Sequence, residues 1–278
     1  VHLGHRAVLR RLVEQRRRGE LAAVLTFARH PQAFLRPGSA PKQITTTDEK
    51  VNLLAACGLD AAFVLDFDAR IAELEAQAFL RDVLVQKLRT KLLVVGDNWR
   101  FGKGAAGDVA LAQGVLEPLG CRFERADLTE AGGENVSSSR TRELIETRNF
   151  DEADRLLGSP FTLRGIVEAG DGRGHALGFP TANLRIPGEK LVPPDGVYSA
   201  VARFDGADVA AVVSIGTKPT FGGAASVVEA YLLDFDRSIY GEQVALREWR
   251  FLRDQVRYDG ADALVRQIRL DVEAVRKG

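Results

Sequence analysis

At LLGSP (156–160) the sequence changes its grammar. Before it, apolar runs alternate with stretches of helical periodicity. LAAVLTF (21–27), AAFVLDF (61–67) and KLLVVG (91–96) read as buried strands, and DEKVNLLAACG (48–58) and 71–89 as helices. An earlier helix carries Val8, Leu9, Leu12 and Val13 on one face and Arg10, Arg11 and Arg16 to Arg18 on the other, with Gly19 placed to stop it. This alternation predicts a parallel sheet covered by helices, an α/β domain over 1–157. In open α/β sheets ligands bind beyond the carboxyl ends of the strands. Ala28 to Pro31, Asp66, Asp68 and GDNWRFG (96–102) fall there. After Pro160 short strand-like segments are separated by Gly, Pro and Asp turns, which predicts an antiparallel β-barrel or sandwich over 158–278. The last stretch spaces Leu264, Ile268, Val272 and Val275 as one helical stripe to pack on it.

Composition removes several function classes. Hydrophobic residues are 45% and charged residues 27%, as in soluble globular chains, and 278 residues accommodate two domains. The formal net charge is zero, so no overall field draws in nucleic acid or an anionic membrane. The arginines of the first helix then read as a solvated face. No apolar run approaches the roughly 18 residues of a membrane helix. Cys57 and Cys121 are the only cysteines and stand far apart, which points to a reducing cytoplasm and to neither a disulfide framework nor a zinc site.

Two motifs in the first half suit phosphate. HLGH (2–5) leads into a helix, whose free N–H groups and dipole favour anions; His2 and His5 can donate to phosphate oxygens, and Gly4 lets the backbone approach. VSSSRTREL (136–144) sets Ser137, Ser138 and Ser139 at a second helix start, with Arg142 available as a bidentate fork. Frayed solvent histidines and a plain serine cap are the competing readings.

In the second half, GDGRGHALGFPTANL (170–184) is dense in glycine, Gly172, Gly174 and Gly178 among them, so its backbone folds tightly before Pro180. Thr181 and Asn183 share one face of an extended strand, where their oxygens suit Mg²⁺. A glycine turn with an Asx-type bond is the alternative. Glu229, in VVEAYLLDF (227–235), is a candidate general base among apolar neighbours or a strand Glu facing water opposite Val228.

HLGH and VSSSRTR together resemble the HxGH and ISSTxxR-like elements of the nucleotidyltransferase superfamily. TFARHP (26–31) and VVGDNWRFGKGAAGD (94–108) are similar to the TFxPHP and VGxDFRFGxxxxGD segments of the FAD synthetase module. PTAN (180–183), IGTKPTFGG (215–223) and the Glu229 strand resemble riboflavin kinase. The chain is thereby identified as a member of the bacterial bifunctional riboflavin kinase/FMN adenylyltransferase family. The resemblance implies a Rossmann-like nucleotidyltransferase domain followed by a riboflavin kinase barrel with a C-terminal helix. It implies riboflavin, FMN and ATP as substrates, ATP as co-substrate, Mg²⁺ as cofactor, and no nucleic-acid or membrane partner. It makes Glu229 the base for the ribityl hydroxyl and assigns His2 and His5 to adenylyl transfer. Gly4, Ser137, Ser138, Ser139, Arg142, Gly172, Gly174, Gly178 and Pro180 would line the ATP phosphates. His30, Asn98 and Arg100 would contact flavin, and Thr181 and Asn183 the metal. A nucleotidyltransferase for another mononucleotide and a non-catalytic flavin- or nucleotide-binding protein are the alternatives.

The pattern departs from the family in places. Ser238-Ile239-Tyr240-Gly241 stands for DLYG, Asn98 for a commoner Asp, and Ser139 for a commoner Thr. The sequence opens at VHLGH without a Met, whereas relatives carry a strand and a GxFDG-like turn directly before that motif. The expectation is that adenylylation is weak in this chain while the kinase barrel works.

Overall fold

A computed structural model describes residues 1–126, 136–170, 172, 174, 177–220 and 223–277. They form two compact units, Val1–Ser138 and Ser139–Gly278.

The first unit runs α1 (Leu3–Glu14), β1 (Ala23–Phe27), α2 (Gln32–Leu35), α3 (Thr47–Ala55), β2 (Ala61–Leu65), α4 (Ala69–Ala72), α5 (Ala76–Ala78), β3 (Leu92–Gly96), α6 (Val109–Leu116) and β4 (Arg122–Ala126). The strands are parallel, as the alternation predicts. They hydrogen-bond in two separate pairs, β1 with β2 from Ala23↔Ala61 and β3 with β4 from Leu92↔Arg122. Leu80, Ala112 and Leu116 are fully buried, with Phe101 and Cys121 beside them, and Trp99 stacks on Phe101 at 4.1 Å.

Two helices differ from the expectation. The helix over 71–89 is broken, because the Leu74 carbonyl accepts from the Lys103 amide at 2.8 Å. Gly102 (φ +74°) backs so closely on Ala76 that a β-carbon there would lie 2.5 Å from its Cα. Beyond the break, α5 continues into a π-helical stretch, Phe79–Lys87, that carries Leu80 and Leu84 into the core. The first helix ends at Glu14, ahead of Arg16 to Arg18, and Gly19 (φ +86°) serves a following turn. Arg11 of the helix meets Glu124 at 3.0 Å, and Arg16 beyond it meets Asp60 at 2.6 Å.

The second unit comprises α7 (Ser138–Glu146, starting on the last residue of the first unit), α8 (Phe150–Leu157), strands β5 to β10 and α9 (Ala261–Arg276). The strands β5 (Leu163–Glu168), β6 (Thr181–Arg185), β7 (Gly196–Phe204), β8 (Ala207–Thr220), β9 (Gly223–Leu232) and β10 (Gln243–Arg253) close into a barrel. Its order is β10-β5-β6-β9-β8-β7, and every neighbouring pair is antiparallel. Alternate residues point inward, so Leu163, Tyr198, Val213, Val228, Val244 and Leu246 are buried. The helix α8 lies ahead of the 157/158 boundary read from the sequence and packs on β10, where Phe150 meets Trp249 and Tyr198. Val272 and Val275 of α9 pack on Val197, Val212 and Leu233. Arg253 holds Asp271 of the same helix by a two-pronged bond, at 2.9 and 2.7 Å.

Candidate functional sites

In the first unit HLGH forms the opening turn of α1. His2 is its N-cap and is buried; its Nδ1 accepts from the His5 amide at 3.4 Å, so the proton of the neutral ring sits on Nε2. The two imidazoles stack at 3.8 Å. A β-carbon at Gly4 would lie 3.2 Å from the His2 ring and 3.4 Å from the Val136 carbonyl. The start of VSSSRTREL therefore passes directly over the HLGH turn, and Ser137 and Ser138 follow from there into α7. Loss of hydration holds His5 down to about 4, helped by repulsion from the Lys50 ammonium, although the residue as a whole is exposed. His5 is thus a neutral hydrogen-bonding group near pH 7. Ser139 and Arg142 lie on α7, where burial pushes Arg142 below its usual range against the opposite pull of Glu146.

The other first-half candidates follow the strands. His30, after β1, is half-buried and its Nδ1 accepts from the Gln32 amide at 3.2 Å. Asn98 and Arg100 are exposed in the turn after β3, where the Trp99 amide donates to the Gly96 carbonyl at 3.1 Å. The carbonyls that end β1 are held by α3: Lys50 Nζ donates to Phe27 and Thr47 Oγ1 to Ala28, both at 2.9 Å. Sequence reasoning read Lys50 only as part of a helix; a Lys in the first turn of α3, facing a strand end, was the available signal.

In the barrel the candidates form a row. Asn183 on β6 is directly opposite Glu229 on β9, and Glu229 is opposite Ser214 on β8. Val228 and Ala230 are buried, so this row lies on the outer face, with Glu229 half-buried. Gln255 Nε2 donates to Ser214 Oγ at 3.0 Å. Thr181 and Asn183 share the outer face of β6, and glycine makes room for both. A β-carbon at Gly170 would lie 2.1 Å from Asn183 Nδ2, and one at Gly174 would lie 2.4 Å from the Phe179 carbonyl and 3.1 Å from Thr181 Oγ1. Gly172 and Gly178 take positive φ, +70° and +83°, and exposed Pro180 leads into β6. Asp171, Arg173, His175 and Ala176 of this signature, and Phe221 and Gly222 of IGTKPTFGG, lie outside the described residues. Among the described residues no cluster of three His, Cys, Asp or Glu could hold a metal, and no helix is long and apolar enough to cross a membrane.

Comparison with known proteins finds a separate match for each end of the chain. The family model for FAD synthetase matches residues 1–140, and that for riboflavin kinase matches 157–278. A bifunctional riboflavin kinase/FMN adenylyltransferase of Escherichia coli (strain K12) is 36% identical over 279 residues, covering 100% of this chain and 89% of the relative. Enzymes of the same description from Listeria monocytogenes and Bacillus subtilis are 34% and 32% identical, each over 99% of this chain and 88% and 89% of their own. Among solved structures, a crystal structure described as a macrolide-efflux protein from Streptococcus pneumoniae aligns with a TM-score of 0.88 at 30% identity, over 100% of this chain and 90% of that one.

Proposed function

The chain belongs to the family of bifunctional riboflavin kinase/FMN adenylyltransferases, and from that premise we propose how its residues divide the two reactions. The enzyme phosphorylates riboflavin to FMN with ATP, then joins AMP from a second ATP to FMN, giving FAD and pyrophosphate.

Phosphorylation belongs to residues 158–278. Glu229 accepts the proton of the terminal ribityl hydroxyl while that oxygen bonds to the γ-phosphorus of ATP and the bond to ADP breaks. The observation that carries this reading is the register that sets Glu229 directly beside Asn183 on the outer face. Thr181 and Asn183 fit Mg²⁺: they offer two neutral oxygens beside a glycine-lined space, and Mg²⁺ completes its shell with water and substrate phosphates rather than a cage of protein acids. That ion would supply charge neutralisation for the phosphates. Gly172, Gly174, Gly178 and Pro180 shape the turn around them.

Adenylylation belongs to residues 1–157. His2 and His5 donate to the ATP phosphates over Gly4, with Ser137, Ser138, Ser139 and Arg142 contributing hydroxyls and a guanidinium. His30, Asn98 and Arg100 contact the flavin nucleotide. Cys57 and Cys121 are free thiols, which supports a reducing, cytoplasmic setting.

The test is Glu229→Gln. Riboflavin phosphorylation is expected to fall by about 10²–10⁴, with riboflavin binding and FMN adenylylation retained. Undiminished phosphorylation removes Glu229 from the mechanism.

A further inference from the structure

The end of β1 carries a cation whose arrangement differs from that of its neighbours. A reciprocal capping box fixes the start of α3: Thr46 Oγ1 accepts from the Glu49 amide at 3.2 Å, and Glu49 Oε2 accepts from the Thr46 amide at 2.9 Å. Lys50, the next residue, is thereby directed at the carboxyl end of β1, where its Nζ donates to the Phe27 carbonyl. An ammonium has three donors, and this bond uses one.

Lys50 is half-buried, and no carboxylate among the described residues pairs with it. Lys103 by contrast meets Glu73 at 2.6 Å, and Arg16 meets Asp60 at 2.6 Å. Loss of hydration pushes the Lys50 ammonium below its usual range, with no acidic neighbour to offset it. Its field reaches His5, whose protonation it opposes. The site thus combines a partly desolvated cation, a pair of stacked imidazoles and the start of α1. Such a set is stabilised by a polyanion, which supplies the charge the protein withholds.

We propose that Lys50 is a phosphate-binding residue of the adenylyl-transfer site, neutralising the β- and γ-phosphates of ATP as they depart as pyrophosphate. An FMN phosphate oxygen bonds to the α-phosphorus, the bond from the α-phosphorus to the α–β bridging oxygen breaks, and its electron pair leaves with pyrophosphate. Lys50 forms no bond to substrate beyond the charged hydrogen bond. The inference rests on assigning adenylylation to the HLGH turn.

The experiment compares the full chain with Lys50→Gln, Lys50→Arg and His5→Ala. Forward FMN adenylylation, its pyrophosphate-driven reversal and riboflavin phosphorylation are measured on the same preparations, with the urea midpoint of the first unit, read at Trp99 in a Trp249→Phe background, as the reference for folding. Lys50→Gln is expected to lower adenylylation by about 10²–10³ and to raise the KM for pyrophosphate about tenfold, with phosphorylation unchanged. Lys50→Arg is expected to recover much of the pyrophosphate KM. An unchanged pyrophosphate KM in Lys50→Gln overturns the proposal, as does an equal loss in both Lys50 variants with that KM unmoved, which marks a purely structural tie to Phe27. If His5→Ala adenylylates normally while Lys50→Gln shows the raised KM, the HLGH assignment fails and Lys50 stands.

Discussion

The two halves place their candidate residues by different means. In the first, several come from a cap or a turn: His2 caps α1, Ser138 opens α7, His30 follows β1 and Asn98 follows β3. In the barrel, Asn183, Glu229 and Ser214 are set side by side by the ladders of three strands. A cap fixes one residue at a time and depends on a few local bonds. A ladder fixes whole rows, and its register is enforced by the buried alternates such as Val228 and Val213. The first site is therefore open to piecemeal damage, while the barrel row keeps its register until the ladder itself is lost.

The widest separation should come from the core of the first half. Leu80 is fully buried, and Leu80→Ala is expected to cost about 2–5 kcal/mol. Adenylylation should then fail at a temperature where riboflavin phosphorylation persists; simultaneous loss of both would erase the contrast. Gly170→Ala probes the barrel more finely. Its methyl would overlap the Asn183 amide, the end of a side chain that can rotate away. An off-rotamer shift costs about 0.5–1.5 kcal/mol, so phosphorylation should drop by up to about tenfold with the melting temperature nearly unchanged. A lowered melting temperature with full turnover would show that the row is held less firmly than the ladder implies.

The smallest effect concerns pH, and the two halves should slope in opposite directions. His5 titrates near 4 in the folded state, below its ordinary 6.5, so the unfolded chain takes up its proton first. Its contribution is present above pH 6.5 and is lost as pH falls towards about 4. In the second unit, burial pushes the Asp154 carboxyl upward despite the bond it accepts from the Phe161 amide. Its contribution is present below its ordinary 3.8 and is lost as pH rises through the folded value. The two tryptophans fall one in each unit, so Trp249→Phe and Trp99→Phe each leave a single reporter for urea midpoints between about pH 4 and 7. Parallel slopes would break the comparison, and His5→Gln should flatten the first.

Legibility in the sequence followed the same division. Apolar runs marked β1, β2 and β3, and Gly, Pro and Asp turns marked the barrel strands. The strand β4 was not anticipated, because RFERA carries three charged residues among five and only Ala126 is buried. The interruption after α4 was hidden because a bond from distant Lys103 causes it. Residue spacing was enough to put HLGH at a helix start and Thr181 and Asn183 on one strand face. It was not enough for Lys50, whose tie to Phe27 joins positions far apart in the chain. Trp249 is a packing residue, as a lone aromatic suggests, against Phe150 and Tyr198.

Closure of the barrel also bears on how the protein behaves when crowded. Each of its six strands has two hydrogen-bonded neighbours. Among the described residues the parallel strands of the first half hydrogen-bond as two separate pairs that do not close into a barrel. Phe63 and Val64, 42% and 36% exposed on β2, add an apolar flank to one of them. Unprotected rims recruit strands from other molecules. The half that makes FMN, closed on itself, has no edge to offer a neighbouring molecule.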